Sequence, residues 1–117
     1  MKPGDRVCFV PGSVLEVERL GVTERHTFHA GSKLTVEWLS GAWAGQSERV
    51  AYEAQFVQPS VSTVGFRLGN GTEVVHVLYL DVGRTSSALT PPIGVRDLGG
   101  GTIVRSPGDP RAYDGDS

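Results

Sequence analysis

Apolar and polar positions alternate along much of this chain with a period of two, the spacing that sends successive side chains to opposite faces of an extended strand. Residues 33–39 show it most clearly: Leu34, Val36 and Trp38 share one face, and Lys33, Thr35 and Glu37 the other. In residues 13–20, Leu15 and Val17 oppose Glu16 and Glu18; in residues 62–68, Val64, Phe66 and Leu68 alternate with Thr63, Gly65 and Arg67. A further strand is expected over residues 6–10, bounded by Pro3-Gly4 and Pro11-Gly12. Gly69-Asn70-Gly71 supplies positive φ without steric cost, so residues 62–68 and 72–82 are expected to pair as a hairpin. Its second arm is apolar on both faces, with Val74, Leu78 and Leu80 on one and Val75, Val77 and Tyr79 on the other. Such a strand is central in its sheet or covered by a partner.

Other stretches lack the alternation. Residues 21–31 read as a polar connection, with at most a short strand near Thr27. Residues 48–55 are the best helical candidate, one or two turns long. Residues 81–92 read as a Pro-containing loop, and residues 95–104 as a strand, a glycine turn at Gly99-Gly100-Gly101, and a second strand.

Sixteen Gly and seven Pro spread over 117 residues punctuate these short runs. No window keeps the helical i, i+3, i+4, i+7 spacing free of Gly or Pro. The fold class expected is all-β: a single small antiparallel barrel or sandwich of about six to eight short strands, which leaves few exposed edges. Residues 1–104 would form the barrel domain, and residues 105–117 a polar C-terminal tail ordered by a partner.

Apolar content of 38% and charged content of 21% are those of a globular domain. No run approaches the roughly 18 apolar residues of a membrane helix, and no signal-peptide core is seen, so neither membrane association nor export is expected. The lone cysteine, Cys8, excludes an internal disulfide and a thiolate zinc cluster; within an apolar strand it reads as a buried, inert thiol. A net charge of −2 gives no general pull toward nucleic acid.

Chemistry-bearing residues are sparse. His26 and His29 are spaced to share a side only on a helix, which their segment does not resemble, and His76 lies mid-strand with Val74 and Leu78. These read as solvated loop histidines and a strand histidine facing a neighbour, with no metal site or cofactor. Ser86-Ser87 and Ser60/Ser62 are placed in loops without an assignable base, and neither glycine cluster precedes a helix that could hold a phosphate. Catalysis is not expected. Trp38 is assigned to the core. Trp43, in a glycine-rich loop, is the exposed aromatic, and beside Arg49 it could stack on a base or a peptide or form a subunit contact.

Two resemblances follow from these pieces. Pro3-Gly4-Asp5-x-Val7, Pro11-Gly12, Val36-x-Trp38 with its glycine loop, and Phe56-Val57-x-Pro59 resemble a Tudor/KOW-type barrel. That resemblance implies a module binding nucleic acid or a protein tail. Residues 77–113 resemble the head-closure or stopper proteins of tailed bacteriophages, through Val77-Leu78-Tyr79-Leu80 with Gly83, Val95-x-x-Leu98 with Gly99 and Gly100, Ile103-Val104, Gly108-Asp109-Pro110 and Tyr113. The stopper resemblance is the leading one. It implies a non-enzymatic virion structural protein, assembled in the bacterial cytoplasm and located in the virion neck. Such a protein forms a homo-oligomeric ring between portal/adaptor and tail-terminator proteins and helps retain packaged DNA without reading its sequence. His26, His29, Trp43 and Arg49 would then lie on interface or lumen loops. Arg105, Asp109, Pro110, Arg111 and Tyr113 would form a partner-docking tail.

Overall fold

The computed structural model describes residues 1–114 and contains ten strands and no helix among them. In chain order these are β1 (Arg6–Cys8), β2 (Val14–Arg19), β3 (Val22–His29), β4 (Lys33–Trp38), β5 (Ser47–Gln58), β6 (Val61–Arg67), β7 (Glu73–Tyr79), β8 (Arg84–Thr90), β9 (Asp97–Arg105) and β10 (Arg111–Ala112). Every pairing between them is antiparallel. The order β5-β4-β3-β2-β9-β8-β7-β6 closes through β5–β6 pairing, giving an eight-stranded barrel with β1 and β10 added outside the ring. Closure removes the sheet edges that an open antiparallel sheet would expose.

The twelve-residue β5 makes this closure possible. Its first half pairs with β4, and its second half pairs with β6 on one side and β1 on the other. The segment expected to be the best helical candidate is therefore a strand. Val50, Tyr52 and Ala54 face inward at a period of two, which a helix would scatter around its circumference.

The hairpin expected around Gly69-Asn70-Gly71 is present as β6 and β7, with Gly71 at φ 90°. Three other expectations are corrected. Residues 22–29 form a full strand rather than a polar connection. Residues 84–90 form β8 inside the expected loop. Gly99-Gly100-Gly101 is not a turn but the middle of the continuous strand β9. A Cβ on Gly101 would lie 2.7 Å from the Glu18 carbonyl oxygen and 2.8 Å from Thr85 Oγ1, so glycine here lets β9 approach β2.

Turns alternate between the two ends of the barrel. One end carries the β1–β2, β3–β4, β5–β6 and β7–β8 connections, and its interior is filled. There Phe9 stacks on Phe28 at 4.6 Å between ring centroids, and Tyr52 meets Phe28 edge-on at 5.1 Å. The Phe9 N–H donates to the Tyr52 hydroxyl at 3.1 Å, so that phenol is buried with a partner. Leu15, Leu34, Ala54 and Leu78 complete this layer with no measurable exposure. Cys8 is buried too. The opposite end, formed by the β2–β3, β4–β5, β6–β7 and β8–β9 connections, is not filled.

The tail returns to the barrel. Val7 and Cys8 of β1 pair with Ala112 and Arg111 of β10, and the Arg6 guanidinium lies 3.9 Å above the Tyr113 ring centroid. The final part of the tail, residues 115–117, lies outside the described residues.

Candidate functional site

At the unfilled end a cavity of about 260 Å³ enters the barrel. At about 30 Å³ per water it has room for roughly nine waters, or a molecule of single-ring size. Its walls are apolar, formed by Val17, Val22, Trp38, Trp43 and Leu89; its polar groups are Arg19, Glu24, Ser40, His76, Ser87 and Asp97. The composition is that of a ligand site: mostly apolar surface with a few converging polar atoms.

Period-two geometry explains how these groups meet. Along β3, Val22, Glu24, His26 and Phe28 share the inward face; along β7, Val74, His76 and Leu78 do; along β8, Thr85, Ser87 and Leu89. β7 and β8 are neighbours with His76 directly opposite Ser87, and β3 faces them across the barrel. His26 and His76 are thus buried and close, with ring centroids 5.3 Å apart and near edge-on. Phe66 packs against the His26 ring at 5.4 Å.

The polar contacts form a chain. Ser87 Oγ lies 2.6 Å from His76 Nδ1. His76 Nε2 lies 3.8 Å from Glu24 Oε2, too far for a hydrogen bond. Glu24 Oε2 lies 3.0 Å from His26 Nε2. At the rim, Arg19 Nη2 donates to Asp97 at 3.3 Å. Three buried atoms here have no protein partner among the described residues: His76 Nε2, His26 Nδ1 and Arg19 Nη1. Buried polar atoms are ordinarily satisfied, so this concentration at one place calls for a reason.

Electrostatics sort the charges. Burial by itself raises the Glu24 carboxyl pKa, but the His26 hydrogen bond and the electrostatic pull of His26 and Arg19 outweigh it, holding Glu24 below its ordinary value and ionised. Burial above all, with His26 and Arg19 adding to it, depresses His76 to about 3 against a smaller opposing pull from Glu24. His76 is therefore a neutral imidazole near pH 7, with one protonated and one bare ring nitrogen.

The rim is apolar and locally strained. Leu20 and Gly21 form the β2–β3 turn with φ of 52° and 78°, and Leu20 is 89% exposed. Both central residues of this two-residue turn take positive φ, which normally selects Asn-Gly, so an exposed leucine in the left-handed region sits at some conformational cost. Trp43 crosses Trp38 edge-on at 5.4 Å and is 45% exposed, closing one side of the mouth.

The residues singled out from sequence scatter around this site. Trp38 lies in the core as expected, and Trp43 stands at the cavity mouth. His26 is not a solvated loop histidine but a buried strand residue, because β3 is a strand and His26 lies on its inner face. His29 is on the outer face and bonds Thr35 Oγ1 at 2.8 Å. Arg49 projects from the outer face of β5, whereas Trp43 faces Trp38, so the two do not form one stacking platform. Arg105 closes β9, Asp109 and Pro110 connect to β10, and Arg111 and Tyr113 lie against the chain's own β1. Ser87 is in a strand beside a base rather than in a loop without one. Glu24, Arg19 and Asp97 were not singled out. The available signal was Glu24 two residues before His26, which on a strand puts carboxylate and imidazole on one face.

No protein-family model matches this chain, and a comparison with curated proteins finds no significant match. Among solved structures, the chain is similar to one described as a "putative beta-lactamase" from Burkholderia vietnamiensis. That likeness covers 81% of this chain and 93% of the other, with a TM-score of 0.74 and 20% identity. At this identity it shows the barrel fold alone.

Proposed function

We propose that this protein binds a small organic molecule, of single-ring size, in the open end of its barrel. The apolar part would lie against Trp38, Trp43 and Leu89, and a hydrogen-bond donor would meet Glu24 and His76. The observation that carries this reading is the buried Glu24–His76–Ser87 chain at the floor of an otherwise apolar cavity. A barrel needing only stability would fill these positions with apolar side chains, since buried polar groups with open valences cost free energy. Glu24 is an acceptor, as is His76 Nε2 in the tautomer that donates Nδ1–H to Ser87, and the Asp97 carboxylate balances Arg19. The floor thus favours a hydroxyl or amine over a carboxylate.

Trp38 and Trp43 provide the readout. Phenol, aniline and benzoate, titrated into the full chain, should quench or shift tryptophan fluorescence saturably, with benzoate weakest. Glu24→Gln should weaken aniline most. No saturable change with any of the three, or benzoate binding best, would overturn the reading.

The Ser87–His76–Glu24 order also favours a second reading, a hydrolase with Ser87 as nucleophile and His76 as base, in keeping with the name of the structural neighbour. It ranks second because β8 is paired on both sides, which commits its backbone N–H groups to the barrel and leaves no pair of them for an oxyanion. Hydrolysis of a chromogenic ester or lactam that is lost in Ser87→Ala would reverse this order. The connector reading rests on the sequence pattern of residues 77–113 and requires a ring; a monomeric mass in solution would remove it.

A further inference from the structure

We propose that Glu24, His26 and His76 form a three-ligand site for a divalent first-row transition ion of the zinc type, with a further coordination position open to the cavity. The inference shares the cavity described above but not its premise, since an ion can be held whether or not an organic molecule enters.

Donor identity is the first argument. Two imidazoles and one carboxylate are a recurrent set for ions that keep an open position, in zinc hydrolases as in non-haem iron sites. Ligand atoms from the three residues lie within 4.8 Å of one another. Spacing is the second. Donors about 2.1 Å from a common ion stand about 3.0 Å apart at a right angle and about 3.4 Å apart in a tetrahedron. Here Glu24 Oε2 lies 3.0 Å from His26 Nε2 and 3.8 Å from His76 Nε2, which brackets those values.

The unmet valences point to a cation as well. His76 Nε2 is buried, has no hydrogen-bond partner among the described residues and sits across from a carboxylate. With Ser87 accepting from Nδ1–H, the Nε2 lone pair points toward Glu24, and two acceptors face each other without a proton between them. A cation between them resolves that repulsion. Ser87 then has the role usual for the outer partner of a metal-bound histidine, fixing the tautomer through the far ring nitrogen. His26 supplies the third donor from beneath, its ring set by Phe66. When an ion takes His26 Nε2, the proton now shared with Glu24 moves to Nδ1 or leaves to solvent.

The test uses the full chain, stripped with a chelator and titrated with Zn2+ by calorimetry and with Co2+ by visible absorption. The expected result is one equivalent per chain and the intense visible bands of low-coordinate Co2+. Glu24→Gln should weaken binding at least about tenfold, because it replaces a charged ligand with a neutral amide, while His29→Gln on the outer face should leave it unchanged. Ring-nitrogen NMR of the unmutated protein gives a readout that needs no variant: Zn2+ should shift the His26 and His76 nitrogens and leave those of His29 in place. No one-to-one binding at micromolar ion, equal binding by Glu24→Gln, or shifts confined to His29 would each overturn the proposal. Ion binding without any response to phenol or aniline would remove the small-molecule reading and leave this one standing, and the converse result would do the opposite.

Discussion

The sharpest test of the polar floor is a double-mutant cycle on Ser87 and His76, read as stability rather than activity. In Ser87→Ala the His76 ring stays buried but loses its one hydrogen bond, the 2.6 Å contact at Nδ1. Its other nitrogen already has no hydrogen-bond partner among the described residues. A buried polar atom stripped of its partner costs about 1–3 kcal/mol, and that is the expected loss for the single variant. His76→Leu combined with Ser87→Ala removes donor and acceptor together and places an apolar side chain of similar volume among Val74, Leu78 and Phe66. The cost should then fall below about 1 kcal/mol or change sign, because replacing buried polar pairs with apolar groups is often neutral or stabilising. His76→Leu alone completes the cycle and strands the Ser87 hydroxyl instead, so it should cost at least as much as the double variant. The coupling between the two sites should therefore be at least about 1 kcal/mol in magnitude.

Urea unfolding of the chelator-treated protein measures this directly, with the slope checked for constancy so that the midpoints report stability alone. For a domain of this size each kcal/mol also moves the melting temperature by roughly 4 °C. The refuting result is a double variant less stable than Ser87→Ala alone by more than about 1 kcal/mol. That outcome would mean the histidine is a packing residue that the barrel needs, and the argument from a costly, function-bearing floor would fail.

Two further predictions concern the metal-free protein. Stability should fall as pH drops below about 6.5: unfolded His76 gains a proton there, whereas the folded residue resists until about 3, so the unfolded state binds more protons across that window. The slope should be roughly 1 kcal/mol per pH unit, steepening below about 4.5 as Glu24, whose folded pKa is also lowered, adds a second proton uptake of the same sign. Urea midpoints that stay flat between about pH 7.5 and pH 5 would contradict it. On β9, Gly101→Ala should cost about 1–3 kcal/mol, since its Cβ would meet the Glu18 carbonyl oxygen at 2.7 Å. Gly100→Ala, whose nearest contact is Thr85 O at 3.6 Å, should be neutral or stabilising by under about 1 kcal/mol, and thermal melts of the pair show whether the glycine run serves strand approach at position 101 alone.

What the sequence disclosed and what it hid divide along a physical line. β4 and the β6–β7 hairpin were legible because their inward positions are mainly apolar: Leu34, Val36 and Trp38 in one, Val64, Phe66, Val74 and Leu78 in the other. The first half of β5 was misread because alanine and glutamate in residues 48–55 favour helix locally, and the barrel ladder overrides that preference. The run of glycines at 99–101 suggested a turn because glycine is usually read for its φ, whereas Gly101 is needed for its missing side chain.

Alternation left β3 and β8 unplaced and broke β9 at its glycines, and these strands supply half of the polar lining, Glu24, Ser87 and Asp97. Their inward positions include Glu24 and His26, Thr85 and Ser87, and Gly99, beside which Arg19 passes with Nη1 3.0 Å from the missing Cβ. Polar residues on the inner face erase the contrast between faces that marks a strand, so the substitutions that make the cavity polar also conceal the elements that carry it. The same reasoning explains why the two ends of the barrel differ. At the filled end, Phe9, Phe28, Leu34 and Leu78 provide the burial that holds the fold. At the open end, unmet valences and an exposed leucine at positive φ are tolerated because the closed ladder of eight strands fixes their positions regardless. A barrel divided in this way can keep a costly constellation at one end while its stability is set at the other.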